Sequence, residues 1–166
     1  PHDIGILNYI LDSEPIKVRA TGFNPFEGIY DFACHSNCDL VYENNLFASV
    51  TLSWLSAIKT RRMIFGGTKE TVVYDHLDED QQIKIFKQSI LPSEIDASTQ
   101  FEYSVGETVL PLIDNIEPLK NEIEEVVRCL KTNTKFVSDV DHAIKTIKVI
   151  ESLQLSLMSN SEFIDT

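Results

Sequence analysis

The sequence predicts an α+β domain: a mostly antiparallel sheet with its helices segregated to one face. Three observations carry the prediction. Apolar residues recur at helical spacing through the opening segment, the period shortens to two between Ile16 and about Phe86, and helical spacing returns in two segments near the end.

The opening segment Pro1–Leu11 reads as a helix because Ile4, Leu7 and Leu11, joined by Ile6 and Ile10, cover one broad face. Pro1 suits a first helical turn, where its missing N–H would have no partner. Asp12-Ser13-Glu14-Pro15 ends the helix, since the residue before a proline avoids helical dihedrals. Ile16–Ala20 then alternates apolar and polar. Between Leu46 and Trp54 the residues Leu46, Ala48, Val50, Leu52 and Trp54 share one face, and Ser49, Thr51 and Ser53 the other. Asp31–Cys38, Arg62–Phe65, Thr71–Tyr74 and Gln82–Phe86 are further strands, each bounded by Asn, Gly or Asp. Glu43-Asn44-Asn45 and Gly66-Gly67-Thr68-Lys69 read as hairpin turns. Gln88–Ser104 is polar, contains Pro92 and has no clear period, so it reads as a long surface loop before a short strand at Thr108–Leu112. The first closing helix carries Ile116, Leu119, Ile123, Val126, Val127 and Leu130, with Asp114 and Asn115 as N-cap candidates. The second carries Val140, Ala143, Ile144, Ile147, Ile150, Leu153 and Leu157, capped by Ser138 or Asp139.

With 166 residues, no internal repeat and no linker, the chain is expected to be a single domain over 1–166. The 26 acidic residues outnumber the 14 basic ones, leaving a formal charge of −12 that repels phosphate backbones and argues against nucleic-acid partners. No run approaches the ~18 apolar residues of a membrane span, and no basic segment leads into an apolar one at the N-terminus. Three cysteines, Cys34, Cys38 and Cys129, fit a reduced, cytoplasmic setting better than a disulfide framework.

Candidate sites are few. No glycine-rich fingerprint of the dinucleotide or P-loop type occurs, and no Gly-x-Ser-x-Gly or His-Glu-x-x-His motif. Cys34-His35-Ser36-Asn37-Cys38 suggests zinc, but on a strand His35 points away from both cysteines and a fourth ligand is missing, so small side chains on a sheet face are the better reading. Asp75-His76-Leu77-Asp78-Glu79-Asp80 lacks the spacing of a calcium loop and reads as a solvated acidic turn. Trp54, Lys59, Arg61 and Arg62 form an aromatic and basic cluster that suits an anion; a core tryptophan beside a solvated basic turn is preferred. His2, beside Asp3 in a first helical turn, has the chemistry of a general acid or base near neutral pH.

Taken in order, Pro1-His2-Asp3-Ile4-Gly5-Ile6-Leu7, Ser53-Trp54-Leu55-Ser56-Ala57-Ile58-Lys59-Thr60-Arg61-Arg62, Gly66-Gly67-Thr68-Lys69 and Tyr74-Asp75 resemble the C-terminal domain of the Gfo/Idh/MocA oxidoreductases. This is the glucose–fructose oxidoreductase and inositol dehydrogenase family. Glu117-Pro118-Leu119, Glu122, Cys129 and Val149-Ile150-Glu151-Ser152 extend the resemblance over nearly the whole chain. The Ser-Trp-Leu…Lys…Arg-Arg segment is most similar to the branch acting on nucleotide-linked sugars. The resemblance implies a glyceraldehyde-3-phosphate dehydrogenase-like C-terminal fold and a fragment of a longer enzyme whose N-terminal Rossmann domain lies outside this chain. It implies NAD or NADP in that full-length protein and no cofactor bound by the chain itself. It also implies hydride transfer at a sugar or nucleotide-sugar hydroxyl carbon, with His2 as the acid/base or orienting residue. No metal is implied. The partners implied are the Rossmann domain, the sugar substrate and further copies of the chain, joined through the open sheet face bearing Phe47, Ser49, Thr51 and Ser53. Gly5 stands where inositol-type members often carry a substrate-contacting aspartate, and Glu125 and Val126 where a His-Phe pair is common. A non-catalytic assembly domain is the alternative.

Overall fold

The computed structural model describes residues 1–88, 90–92, 101–104, 106–114 and 116–166. In chain order the elements are α1 (His2–Leu11), β1 (Lys17–Phe23), β2 (His35–Val41), β3 (Phe47–Ser53), β4 (Arg62–Gly66), β5 (Thr71–Asp75), β6 (Ile83–Phe86), β7 (Ile90–Pro92), β8 (Phe101–Tyr103), β9 (Thr108–Val109), α2 (Pro118–Thr132), α3 (Val140–Met158) and β10 (Ile164–Asp165). The class is α+β, as expected. The period-two region, however, builds two four-stranded antiparallel sheets, β10-β1-β2-β3 and β4-β5-β6-β9, and not one. The described residues gather into two compact units, Pro1–Ser56 with Pro118–Thr166, and Ala57–Glu117.

In the first unit β1 and β2 pair from Lys17↔Val41 to Phe23↔His35, and β2 and β3 from His35↔Ser53 to Val41↔Phe47. Asn44 and Asn45 turn the β2–β3 hairpin at φ of 57° and 60°, left-handed dihedrals that asparagine tolerates best after glycine. Helix α3 packs on β1, and α1 packs on α3. The core follows from the alternation: Val18, Ala20, Cys38 and Leu40 from the sheet meet Ile4 of α1 and Val149 and Leu153 of α3, with Ala48 and Val50 packed beside them. Gly22 is required where α3 crosses the sheet, because a Cβ there would lie 2.8 Å from Ala33 Cβ and 3.0 Å from Leu157 Cδ2. Ser156, fully buried, accepts the Ala20 N–H at 2.9 Å and donates to the Glu162 carbonyl, tying α3 to both the sheet and the returning chain. That return forms β10, a strand absent from the sequence expectation, paired through Val18↔Ile164.

The strand expected at Asp31–Cys38 begins only at His35. Residues 24–34 leave the ladder in a loop held by the Asn24 side chain, which accepts from the Phe26 N–H at 2.9 Å and donates to the Tyr30 carbonyl at 2.7 Å. Asp12, at φ 46°, ends α1, and Asp139 caps α3 by accepting the His142 N–H at 2.9 Å. Asp114, a cap candidate for the first closing helix, stands four residues ahead of α2, which begins at Pro118, and Asn115 lies outside the described residues.

The second unit carries the expected hairpins. Gly67 donates to the Glu70 carbonyl at the β4–β5 turn, and the acidic β5–β6 turn is closed by Asp75 and Asp78 accepting the N–H groups of Leu77 and Gln81. Gln88–Ser104, expected to be a loop, contains β7 and β8 paired from Ile90↔Tyr103 to Pro92↔Phe101; residues 93–100 lie outside the described residues. Thr108–Val109 is shorter than the expected strand. Among the described residues no helix is long and apolar enough to cross a membrane.

Candidate functional site

His2 stands in the first turn of α1, which exists because Ile4 and Leu7 give it one apolar stripe to bury. The opposite side of that turn borders a hollow of about 480 Å³ between the N-terminal parts of α1 and α3. Its walls are His2, Gly5, Ile6 and Tyr9 from α1, and Ser138, His142 and Thr146 from the start of α3, with Pro1, Val137, Ala143 and Ile147 at the edges. No side chain in this wall carries a permanent charge. Imidazole, phenol and hydroxyl groups both donate and accept hydrogen bonds, so the hollow suits a neutral, hydroxylated molecule resting on apolar surface.

Two local features place His142. The Asp139 cap fixes its backbone amide, and the same contact, helped by Lys135 at 3.6 Å, holds the Asp139 carboxyl below the usual carboxylate range. Gly5 then admits its ring, since a Cβ at Gly5 would lie 3.3 Å from His142 Nε2. The signal for His2 in the sequence is its position in the family-like opening motif. His142 carries no such signal, because its relation to Gly5 exists only once α1 and α3 are packed.

A second hollow of about 590 Å³ adjoins it, sharing His142, Tyr9 and Val137 and bounded further by Asn8, Asp12, Glu14, Asp139, Asp141 and Lys145. Its charges are largely answered within the protein: Lys145 pairs with Glu14 at 2.8 Å, and Lys135 with Asp141 at 3.1 Å.

The remaining sequence candidates separate. Cys34 and Cys38 are buried free thiols, and burial pushes the Cys38 thiol up, with the Asp39 carboxylate adding to the effect. Among the described residues no cluster of His, Cys, Asp and Glu has the geometry to hold a metal ion. Trp54, expected in the core, is 85% exposed, because β3 ends at Ser53 and the core reaches only to Val50 along that strand. Arg62 is committed to Asp75 at 2.7 Å, which makes a sheet-surface ion pair of one member of the basic cluster. The face of the first sheet turned away from the core carries ordered polar ladders. Arg19 and Ser49 both donate to Asp39, and Thr51 donates to Asn37 at 2.9 Å, with Phe47 exposed at the end of the row.

No family model matches the chain, and no curated protein does. Solved structures do. UDP-N-acetylglucosamine 3-dehydrogenase GnnA from Acidithiobacillus ferrooxidans aligns with a TM-score of 0.71 at 15% identity, over 95% of this chain and 45% of its own. Aldose-aldose oxidoreductase from Caulobacter crescentus, complexed with glycerol, gives 0.74 at 13% identity, over 99% and 45%. An NAD-binding protein from Listeria innocua gives 0.70 at 17%, over 99% and 49%. The chain therefore spans about half the length of the structures it matches. Its fold is that of the C-terminal domain of Gfo/Idh/MocA-type oxidoreductases.

Proposed function

We propose that this chain is the substrate and oligomerisation half, 1–166, of an NAD(P)-dependent oxidoreductase acting on a sugar or nucleotide-sugar hydroxyl carbon. The observation that carries the reading is the near-complete coverage of the chain by the folds of a UDP-N-acetylglucosamine dehydrogenase and an aldose-aldose oxidoreductase, each about twice as long. The uncharged, hydroxyl-rich hollow beside His2 supports it independently.

The chain offers no glycine-rich phosphate cradle, so the nicotinamide would be held by an upstream Rossmann domain, and the chain alone would neither bind the dinucleotide nor turn over. The nicotinamide, when bound, would supply the hydride acceptor for the carbinol carbon; what the protein must provide is a group that takes the O–H proton as the C–O double bond forms. His2 is the group in this chain that takes or orients that proton. It sits in the first turn of α1, exposed and bordering the hollow, where an imidazole nitrogen can accept from or donate to a substrate hydroxyl.

In the polypeptide carrying this chain behind its cofactor domain, His2→Ala is expected to lower kcat by about 10²–10⁴-fold. Unchanged turnover with UDP-N-acetylglucosamine and with free aldoses overturns the assignment of His2. A second reading, a non-catalytic assembly domain, is favoured by one observation, the open sheet face with exposed Phe47 above an ordered polar ladder. Such a face is self-complementary across a two-fold axis. A chain that sediments as a monomer at tens of micromolar removes that reading and the homo-oligomer with it.

A further inference from the structure

We infer that His142 is a second hydroxyl-binding side chain of the hollow that His2 borders, positioning a neutral sugar there. The inference rests on the reading of that hollow as a sugar site.

Four observations converge. His2 and His142 come from different helices yet wall the same cavity of about 480 Å³. The absence of a side chain at Gly5 is what lets His142 Nε2 approach α1, since a Cβ there would stand 3.3 Å away, tighter than ordinary van der Waals contact. The backbone of His142 is fixed at both ends, its N–H on Asp139 and its carbonyl accepting Thr146 Oγ1 at 3.0 Å, so the ring projects from a rigid first turn. Its ring nitrogens, by contrast, have no hydrogen-bond partner among the described residues, and the residue is only half-buried. An imidazole carried on a fixed backbone, with both nitrogens uncommitted, is able to donate to one hydroxyl and accept from another.

The surroundings select the ligand class. Carboxylates and ammonium groups line the neighbouring acidic hollow, which shares His142, Tyr9 and Val137 with this one, and there Glu14–Lys145 and Asp141–Lys135 satisfy one another. This one offers Ser138, Thr146, Tyr9 and two imidazoles over Ile6 and Ile147. A pyranose ring presents the matching pattern, an apolar face rimmed by hydroxyls. His142 thus acts as a positioning residue beside His2.

The test uses the 166-residue chain labelled with ¹⁵N at histidine and titrated with N-acetylglucosamine, read through the imidazole resonances. The four histidines provide internal controls. Saturable shifts are expected at His2 and His142 and none at His35 and His76. His142→Ala should weaken the apparent Kd by about 3- to 10-fold, the scale of one net hydrogen bond, and His142→Gln should recover part of the loss. Gly5→Ala, which crowds Nε2 while leaving both histidines in the sequence, should weaken it as well. Unshifted His35 and His76 resonances in each variant report an intact fold. A saturable shift at His2 with none at His142, an unchanged Kd in His142→Ala, or no saturable shift at either residue overturns the proposal. Failure of the hydride-transfer reading is separate: turnover unaffected by His2→Ala, with the imidazole shifts intact, leaves a sugar-binding hollow in a protein that does other chemistry.

Discussion

Val18, Ala20 and Leu40 of the first sheet are at most 1% exposed, whereas Ile64 of β4 is 66% exposed and no described residue of β4, β5, β6 or β9 is buried. Both sheets are antiparallel and both alternate in sequence. The first is roofed on one face by α3, which brings Val149 and Leu153 onto it and carries Ile4 of α1 behind them. The second is held by its ladder, its turn carboxylates and its ion pairs, Arg62–Asp75 at 2.7 Å across two strands, Lys84–Asp78 at 2.8 Å from strand to turn and Lys87–Glu107 at 2.7 Å beside the β6–β9 pairing. Exposed ion pairs of this kind contribute little, while apolar burial contributes about 25 cal/mol per Å². The comparison locates stability in the first unit, and with it the rigidity of the α1–α3 hollow.

The largest effect that tests this contrast is a pair of truncations. Leu40 lies against Val18 and Ala48 with no exposure, so Leu40→Ala is expected to cost about 2–5 kcal/mol, as transfer and cavity terms add. Ile64→Ala should cost less than about 1 kcal/mol. Urea unfolding of both variants checks the difference, and equal losses would show that the second sheet is as well buried as the first.

Next comes Tyr42, which with Asn8 is one of two buried side chains of the first unit whose polar atoms have no partner among the described residues. The hydroxyl of Tyr42 is sealed from solvent with no hydrogen bond among the described residues, and burial pushes its pKa up to about 12. The folded state therefore holds this proton more tightly than the unfolded chain, which releases it near 10. The associated stability is fully present below pH 10 and is lost between pH 10 and 12, on the order of 2 kcal/mol in all. Tyr42→Phe should be neutral or slightly stabilising at pH 8 and should flatten the decline above pH 10. Urea midpoints at pH 8 and pH 11.5 measure both; a variant that declines as steeply as the parent assigns the alkaline loss to other groups.

How much of this was legible in the sequence follows from the range of each interaction. The three helices, the Asp139 cap and the Asn44-Asn45 and Gly66-Gly67 turns depend on neighbours a few positions away, and their residues announce them. Period two marks Ile16–Ala20, Leu46–Trp54 and Thr71–Tyr74 as strands, but alternation says only that one face is to be covered, not in which sheet. The division into two sheets was therefore invisible. So were β10, two residues recruited by the free edge of β1, and β7–β8, three residues each, whose shortness and Pro92 hide the ladder they form. Trp54 was misplaced because periodicity was extended one residue past the end of β3. At the candidate site, the opening motif singles out His2, which stands at the edge of the hollow. No motif singles out His142, since the vacancy at Gly5 that admits it belongs to the packing of two distant helices.

The smallest effect concerns the second sheet's own electrostatics. Arg62 donates from Nε at 3.0 Å and Nη2 at 2.7 Å to Asp75 across the β4–β5 register, and with the Leu77 N–H holds the Asp75 carboxyl below the usual carboxylate range. A depressed folded pKa stabilises the folded state above the unfolded value near 3.9, and that stabilisation disappears as the pH falls through the folded value. Arg62→Met keeps the side-chain length and removes the charge, so the Asp75 carboxyl resonance should titrate at higher pH than in the parent. The Leu77 hydrogen bond remains in the variant and should keep the midpoint short of a free aspartate's. Global unfolding should barely change, because the pair sits on a sheet with no buried residue to release. A large loss of stability on this substitution would mean that the Arg62–Asp75 pair organises the sheet instead of decorating it, and would reverse the ranking of the two units.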